Sequence, residues 1–162
     1  MQNTSLTLEW VSRHYDKIDP FSIDDYINAG GYAALKKALT MSGDTIISEV
    51  KASGLRGRGG AAFPTGLKLA GVKNSVGDIK YLICNADEGE PGNFKDRYQM
   101  EKDPHSMIEG MIIAASAVGA AKGYIFIRGE YNRSIAIVKE ALRQAYEKGF
   151  LGENILGSGF TY

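Results

Sequence analysis

An α/β fold, with a short parallel sheet flanked by helices, is predicted by three features of this 162-residue chain. Two apolar runs, Tyr81-Leu82-Ile83-Cys84 and Tyr124-Ile125-Phe126-Ile127, have the length and boundaries of buried strands. A helical pattern follows each run, and the order strand–helix–strand–helix requires parallel strands joined by a crossover. Each run also ends in a polar, glycine-bearing segment, residues 85–92 and 128–131, at the strand end where ligands sit in such sheets. The length suits one domain with a sizeable core.

Residues 1–21 carry the weakest pattern, and Trp10 and Tyr15 there read as residues that pack on the domain. Ser22 with Asp25 three positions on resembles a capping box opening a helix. Gly30-Gly31 breaks that helix, and a second short one runs through Leu35 and Leu39. Asp44 is expected to cap a third, with Ile46, Ile47 and Val50 inward and Gly54 as its C′ stop. Asp103 before Pro104 marks a strong helix start. Met107, Ile108, Met111, Ile112, Ala115 and Val118 form its apolar stripe, and Gly123 is expected to end it. Asn132 is expected to cap the last helix, with Ile135, Val138 and Leu142 inward and Gly149 closing it. Gly159-Phe160-Thr161-Tyr162 reads as the start of a third strand, as in a fragment or one piece of a split protein. The expected architecture is a Rossmann-like three-layer domain over 44–162, truncated at its C-terminal end. A small helical N-terminal extension over 1–43 precedes it.

Nineteen basic and nineteen acidic residues cancel, which argues against nucleic acid or an anionic membrane as a partner. Glycine, at 20 of 162 residues, exceeds the average of ~7% and concentrates in defined loops. The single cysteine, Cys84, excludes an internal disulfide and a cysteine-based metal cluster within the chain, so no metal ligands are expected. The N-terminus lacks a basic-then-apolar signal pattern. The longest weakly polar run, Met111–Ala121, is too short to span a bilayer, so no direct membrane insertion is expected.

Residues 53–68, Ser-Gly-Leu-Arg-Gly-Arg-Gly-Gly-Ala-Ala-Phe-Pro-Thr-Gly-Leu-Lys, are the stretch best suited to a ligand. Gly54, Gly57, Gly59 and Gly60 let backbone N–H groups approach an anion without a Cβ in the way. Arg56 and Arg58 add guanidinium donors, and Thr65 is placed to cap a helix whose positive end faces the same point. A phosphorylated cofactor is the natural guest. The bland alternative is a mobile surface loop, but flexible linkers are Gly/Ser-rich, whereas Arg, Phe63 and Pro64 interrupt this one. Gly57-x-Gly59-x-x-Ala62 matches the dinucleotide fingerprint in form, yet a helix rather than a strand precedes it. Gly66 is followed by Leu67 and Lys68 without Ser or Thr, which excludes the phosphate loop of kinases and ATPases.

The second constellation is Asp87, Glu88 and Glu90 beside Asn85. Carboxylates accept paired hydrogen bonds from vicinal hydroxyls or ring N–H groups, and three together repel an extra ribose phosphate. As a solvated turn the segment is ordinary, and its place after a strand favours function. His14 and His105 lack partner spacing and read as structural, and Cys84 as a small core residue. Asp96–Arg97 and Arg128–Glu130 read as local ion pairs, with Arg128 and Tyr131 able to face the ligand cleft.

Residues 54–68, 85–97 (Asn-Ala-Asp-Glu-Gly-Glu-Pro-Gly-Asn-Phe-Lys-Asp-Arg), 108–111 (Ile-Glu-Gly-Met) and 124–131 (Tyr-Ile-Phe-Ile-Arg-Gly-Glu-Tyr) resemble the FMN- and NADH-binding flavoprotein subunit of respiratory complex I. Related NAD(P)-linked hydrogenases and formate dehydrogenases carry the same module, and residues 18–35 are most similar to the hydrogenase-type members. The resemblance runs from the neighbourhood of His14 to the end of the chain. It implies FMN as cofactor with NADH stacked over it. Gly57, Gly59 and Lys68 would contact FMN, with Arg58 and Gly60 in the same loop and Asn85 and Asp87 at the strand end. Glu88 would lie near flavin and nicotinamide, Glu90 would take the NADH ribose hydroxyls, and Phe63 would stack on adenine. No catalytic acid or base is implied, because hydride passes from nicotinamide to flavin and the protein orients the rings.

The resemblance further implies a parent enzyme, an FMN-dependent NADH:acceptor oxidoreductase, that passes electrons to iron–sulfur clusters in a multi-subunit redox complex. Its partners would be a thioredoxin-like [2Fe-2S] subunit and an iron–sulfur subunit, in the cytoplasm at the inner face of the membrane through those partners. Hydrogenase, formate dehydrogenase and quinone systems share the module, so the electron acceptor stays open. Ala62 stands where the family has glycine, Gly71 where it has a second adenine-stacking Phe, and Gly89 where serine is commoner. The family's [4Fe-4S] cysteines would fall in the missing C-terminal half, past Tyr162. For this chain alone weak or absent FMN binding is expected, and the alternative is an inactive truncated or split module that only docks partner subunits.

Overall fold

The structure is a computed structural model and describes residues 10–162; the first nine residues of the expected 1–43 extension lie outside the described residues. Four helices, α1 (Ile23–Asn28), α2 (Ala33–Ala38), α3 (Gly43–Ala52) and α4 (Thr65–Lys73), precede strand β1 (Tyr81–Ala86). Helices α5 (Lys95–Lys102) and α6 (Pro104–Val118) lead to β2 (Lys122–Ile127), followed by α7 (Asn132–Glu147) and a 3-10 turn over Ile155–Gly157.

The two strands pair in parallel from Tyr81↔Lys122 to Ala86↔Ile127, with α5 and α6 in the crossover. An α/β architecture with a short parallel sheet is therefore present. The strands are not buried on both faces as the sequence suggests. Leu82, Cys84, Ile125 and Ile127 turn inward to the helices, whereas Tyr81, Ile83, Tyr124 and Phe126 are exposed. Side chains alternate across a strand, so an unbroken apolar run still presents half its residues to the uncovered face.

Local signals set several boundaries. Ser22 caps α1 as expected by accepting from the Asp25 N–H, but the return bond of the capping box is replaced: the Ser22 N–H donates to the Asp19 carbonyl, and Asp25 accepts from the Ser22 hydroxyl. Asp103 caps α6 by accepting from the Ser106 N–H, with Pro104 in the first turn. Other boundaries differ from expectation. Ser42, not Asp44, caps α3 through the Thr45 N–H, leaving Asp44 in the first turn. Gly119, left-handed at φ 72°, ends α6, and Gly123 lies inside β2. A Cβ on Gly123 would collide with the Tyr162 hydroxyl, so that glycine serves a close approach. Tyr131 occupies the N-cap of α7, with Asn132 as its first residue. Residues 159–162 form no strand: Gly152 and Tyr162 exchange two backbone hydrogen bonds (2.9 and 3.1 Å), folding the chain back on itself.

The N-terminal helices share the core. Ile23, Tyr26, Tyr32 and Leu35 pack with Ile108, Ile112, Ala141, Ala145, Phe150 and Ile155. A buried carboxylate fixes this contact. Glu109 on α6 accepts from the Tyr26 hydroxyl (2.6 Å) and from the backbone N–H groups of Tyr32 and Leu35 (both 2.9 Å), capping α2 from a distance. His14 and Asp103 pair at 2.8 Å nearby, and His105 Nδ1 lies 2.9 Å from the Tyr32 hydroxyl. Both histidines are structural, as their isolation in sequence suggests.

Replacing Glu109 by Gln turns an amide N–H₂ toward groups that are already donors. Glu109→Gln is expected to lower the unfolding free energy by about 2 kcal/mol in urea titration; an unchanged midpoint would refute the cap. Burial pushes His105 down from 6.5 to about 4, with Gln144 offsetting part of that. Between those pH values the unfolded chain holds a proton the folded chain lacks, so stability is full above 6.5 and declines toward 4. Burial raises the Asp103 carboxyl, chiefly against its bond from His14, and that acts in the opposite sense near the acid end. In His105→Gln the slope of stability against pH across this window is expected to flatten, and an identical slope would remove His105 as its source.

Candidate functional site

Two segments with little regular structure meet beyond the carboxyl end of β1. The first follows α3, which closes at Gly54 in the left-handed region at φ 66°. Its base is zipped by Thr65 N–H to Leu55 C=O and Gly57 N–H to Phe63 C=O, both 2.9 Å, and by a bridge pairing Arg56 with Pro64. Residues 58–62 bulge from that base. Gly60 turns at φ 108°, a conformation open in practice only to glycine, and Ala62 is held left-handed at φ 48°.

The second segment continues from β1. Asp87 N–H donates to the Asn85 side chain at 3.2 Å, and Gly92 turns at φ 82° before α5 begins. Between the two lies a cleft of about 880 Å³. Arg58, Gly59 and Gly60 form one wall, and Asn85, Asp87, Glu88 and Glu90 the other. Space is open around Gly59 and Gly60, where an added Cβ would meet no atom within 4 Å. The glycine loop and the acidic corner thus share one cavity.

Not every expected residue lines it. Gly57 sits at the zipped base with its N–H engaged, Phe63 is exposed on the loop, and Lys68 is exposed on α4. Arg56 is tied to the loop itself, donating to the Ala62 carbonyl at 3.0 Å, so only Arg58 of the pair faces the cleft. Thr65 is the first residue of α4 behind an N-cap Pro64 and makes no cap bond, and no α4 residue lines the cleft. Asn93, Lys95 and Asp96 do line it. Asn93 precedes the α5 N-cap, and Lys95 and Asp96 open α5, a helix whose dense polarity hides any apolar period in the sequence.

Glu88 is buried, and its carboxylate accepts from the Asp96 (3.1 Å) and Arg97 (3.2 Å) N–H groups, capping α5. Lys95 stands 4.0 Å from it and 2.6 Å from Asp96, so Asp96 pairs with Lys95 and not with Arg97, which pairs with Glu101. Arg128 reaches Glu130 at 3.5 Å, as expected, and lies behind the cleft wall. Chemically, the cleft offers glycine backbone, one arginine and one lysine for an anion. Beside them, exposed Asp87 and Glu90 and the Asn85 amide can accept from N–H or hydroxyl groups. A second cavity of about 480 Å³, between β2, α6 and α7, is lined mainly by apolar side chains such as Met111, Ile125 and Leu142.

Residues 50–158 match the family described as the Nuo51 FMN-binding domain. The F subunit of NADH-quinone oxidoreductase in Aquifex aeolicus (strain VF5) is 53% identical over 154 residues, covering 95% of this chain and 36% of that protein. The HndC subunit of the NADP-reducing hydrogenase in Solidesulfovibrio fructosivorans is 50% identical, covering 96% of this chain and 31% of that one. The chain spans about a third of the length of these curated relatives. Among solved structures, the NAD+-reducing [NiFe]-hydrogenase in the H2-reduced state matches with a TM-score of 0.63 and 41% identity, over 66% of this chain and 19% of that chain.

The left-handed backbone at Ala62 is a local cost that glycine would relieve. Ala62→Gly is expected to raise the unfolding free energy by up to about 1 kcal/mol, net of the added freedom of the unfolded chain. A variant less stable than the parent in urea denaturation would show that residue 62 is not left-handed.

Proposed function

This chain belongs to the family of Nuo51 FMN-binding domains, and from that premise we propose that it forms the flavin-facing part of a subunit that takes hydride from NADH and passes electrons to iron–sulfur centres. The observation that carries this reading is the shared cleft between the glycine loop and the acidic corner. Its volume lies within the range of sites for small cofactors. FMN, when bound, supplies a ring that accepts hydride as an electron pair and releases electrons singly.

This chain's residues bind and orient. Arg58, Gly59 and Gly60 hold the phosphate, and Gly57 closes the base from which the loop projects. Asn85 and Asp87 accept from the polar edge of the ring. Glu88, whose carboxylate is committed to capping α5, sets the shape of the corner beside flavin and nicotinamide. Glu90 accepts from the ribose hydroxyls of NADH. Phe63, exposed at the loop, stacks on adenine from one side, and Gly71 leaves the other side without an aromatic partner.

The relatives' names include both an NADH-linked and an NADP-linked enzyme. Asp87, Glu88 and Glu90 at one corner disfavour an additional ribose phosphate, which supports NADH. Among the described residues no helix is long and apolar enough to cross a membrane. The proposed parent complex places the subunit in the cytoplasm, beside a thioredoxin-like [2Fe-2S] subunit and an iron–sulfur subunit.

The test uses the full chain in its native complex. It is expected to carry one equivalent of flavin by absorbance, bleached under anaerobic conditions by NADH much faster than by NADPH. A complex that holds no flavin and takes none up from excess FMN would overturn the assignment.

A further inference from the structure

We infer that Arg128, which does not itself line the cleft but backs its acidic wall, is the positioning residue that holds the acidic corner in its cofactor-binding shape. This inference rests on the flavin reading above and adds a residue to it. Arg128 is the first residue after β2, one position beyond the last register pair, Ala86↔Ile127. The parallel pairing therefore delivers its guanidinium to the start of the acidic segment that leaves β1. Nη1 donates to the Glu88 carbonyl at 3.0 Å, and Nε lies 3.9 Å from the Asp87 carboxylate. Nη2 lies 3.5 Å from Glu130, and the group sits 5.8 Å from the centre of the Tyr131 ring. The side chain is about two-thirds covered.

Glu88 is consequently gripped at two points. Its carboxylate is held by the first turn of α5, and its carbonyl by Arg128 from the neighbouring strand. The rest of the corner, where Gly89 and Gly92 bracket Glu90 and Pro91, is closed by two local turn bonds, Gly89 N–H to the Asp87 carbonyl and Asn93 N–H to the Glu90 carbonyl, both 3.1 Å, and these do not tie it to β2. Without the guanidinium, Asp87 and Glu130 lose the cation between them, and the Glu88 carbonyl loses its donor. Repulsion among the carboxylates then opens the turn. One bonded carbonyl and two carboxylates at ion-pair distance surround the guanidinium, an arrangement a planar fork of donors serves and a lysine ammonium serves only in part.

The experiment strips the native complex of flavin and titrates it with FMN, following the quenching of flavin fluorescence. Arg128→Gln is expected to weaken FMN binding about tenfold, the loss seen when a supporting outer-shell partner is removed at metal sites. Its urea midpoint without FMN should stay near that of the parent, and Arg128→Lys should recover part of the affinity. Equal FMN affinity in parent and Arg128→Gln overturns the inference. So does a fall in midpoint with affinity unchanged, since that marks a merely structural ion pair. If Arg128→Gln fails to fold, Arg128→Lys decides: several-fold weaker binding supports positioning, and unchanged binding overturns it. A parent complex that takes up no FMN overturns the flavin reading itself, and this inference with it, which separates the two failures.

Discussion

The parallel register of β1 and β2 is the constraint on which the rest of the molecule depends. Six residues of each strand pair without a slip, and the crossover carries the chain back so that both carboxyl ends lie side by side. From one end issues Asn85 to Glu90, and from the other Arg128 to Tyr131. A slip of β2 by one residue would send Ile125 and Ile127 to the exposed face and move Arg128 away from the corner. The core that α6 and α7 build on the sheet's inner face therefore holds the register as well as the stability.

A second theme is the use of buried carboxylates as helix caps. Glu109 caps α2, Glu88 caps α5 and Asp103 caps α6, and all three are nearly inaccessible. A helix N-terminus offers unpaired N–H groups and a positive dipole end, so it is one of the few places where a buried carboxylate is satisfied without a full counter-charge. Two of these caps join separate parts of the chain. Glu109 ties the N-terminal helices to α6, and Glu88 ties the acidic loop to the helix that follows it. Folding and site construction thereby use the same chemistry, and a residue that looks like a ligand-facing acid in sequence turns out to shape the wall instead.

The signals that were legible were local or periodic. Ser22 with Asp25, and Asp103 with Pro104, are caps read from adjacent residues, and the structure has both. The strands at 81–86 and 122–127 announce themselves by apolar runs. Helix α5 does not, because its residues are mostly charged and its buried members, Met100 and Glu101, are held by the tertiary environment. The choice between Ser42 and Asp44, or between Tyr131 and Asn132, as N-cap depends on where the chain leaves the preceding turn, and neighbouring candidates of similar chemistry do not settle that.

For the site, the chain's own residues determined the two constellations and their chemistry. A glycine bend with arginines suits an anion, and a carboxylate-rich strand end suits N–H and hydroxyl donors, because those properties reside in single side chains and short backbone segments. Only the tertiary structure decided that the two share a cleft, that Arg58 and not Arg56 faces it, that Glu88 is a cap, and that Arg128 grips the corner from behind. Those are relations between residues as far as forty positions apart, set by strand register and helix packing. Spacing along a sequence carries no direct measure of them.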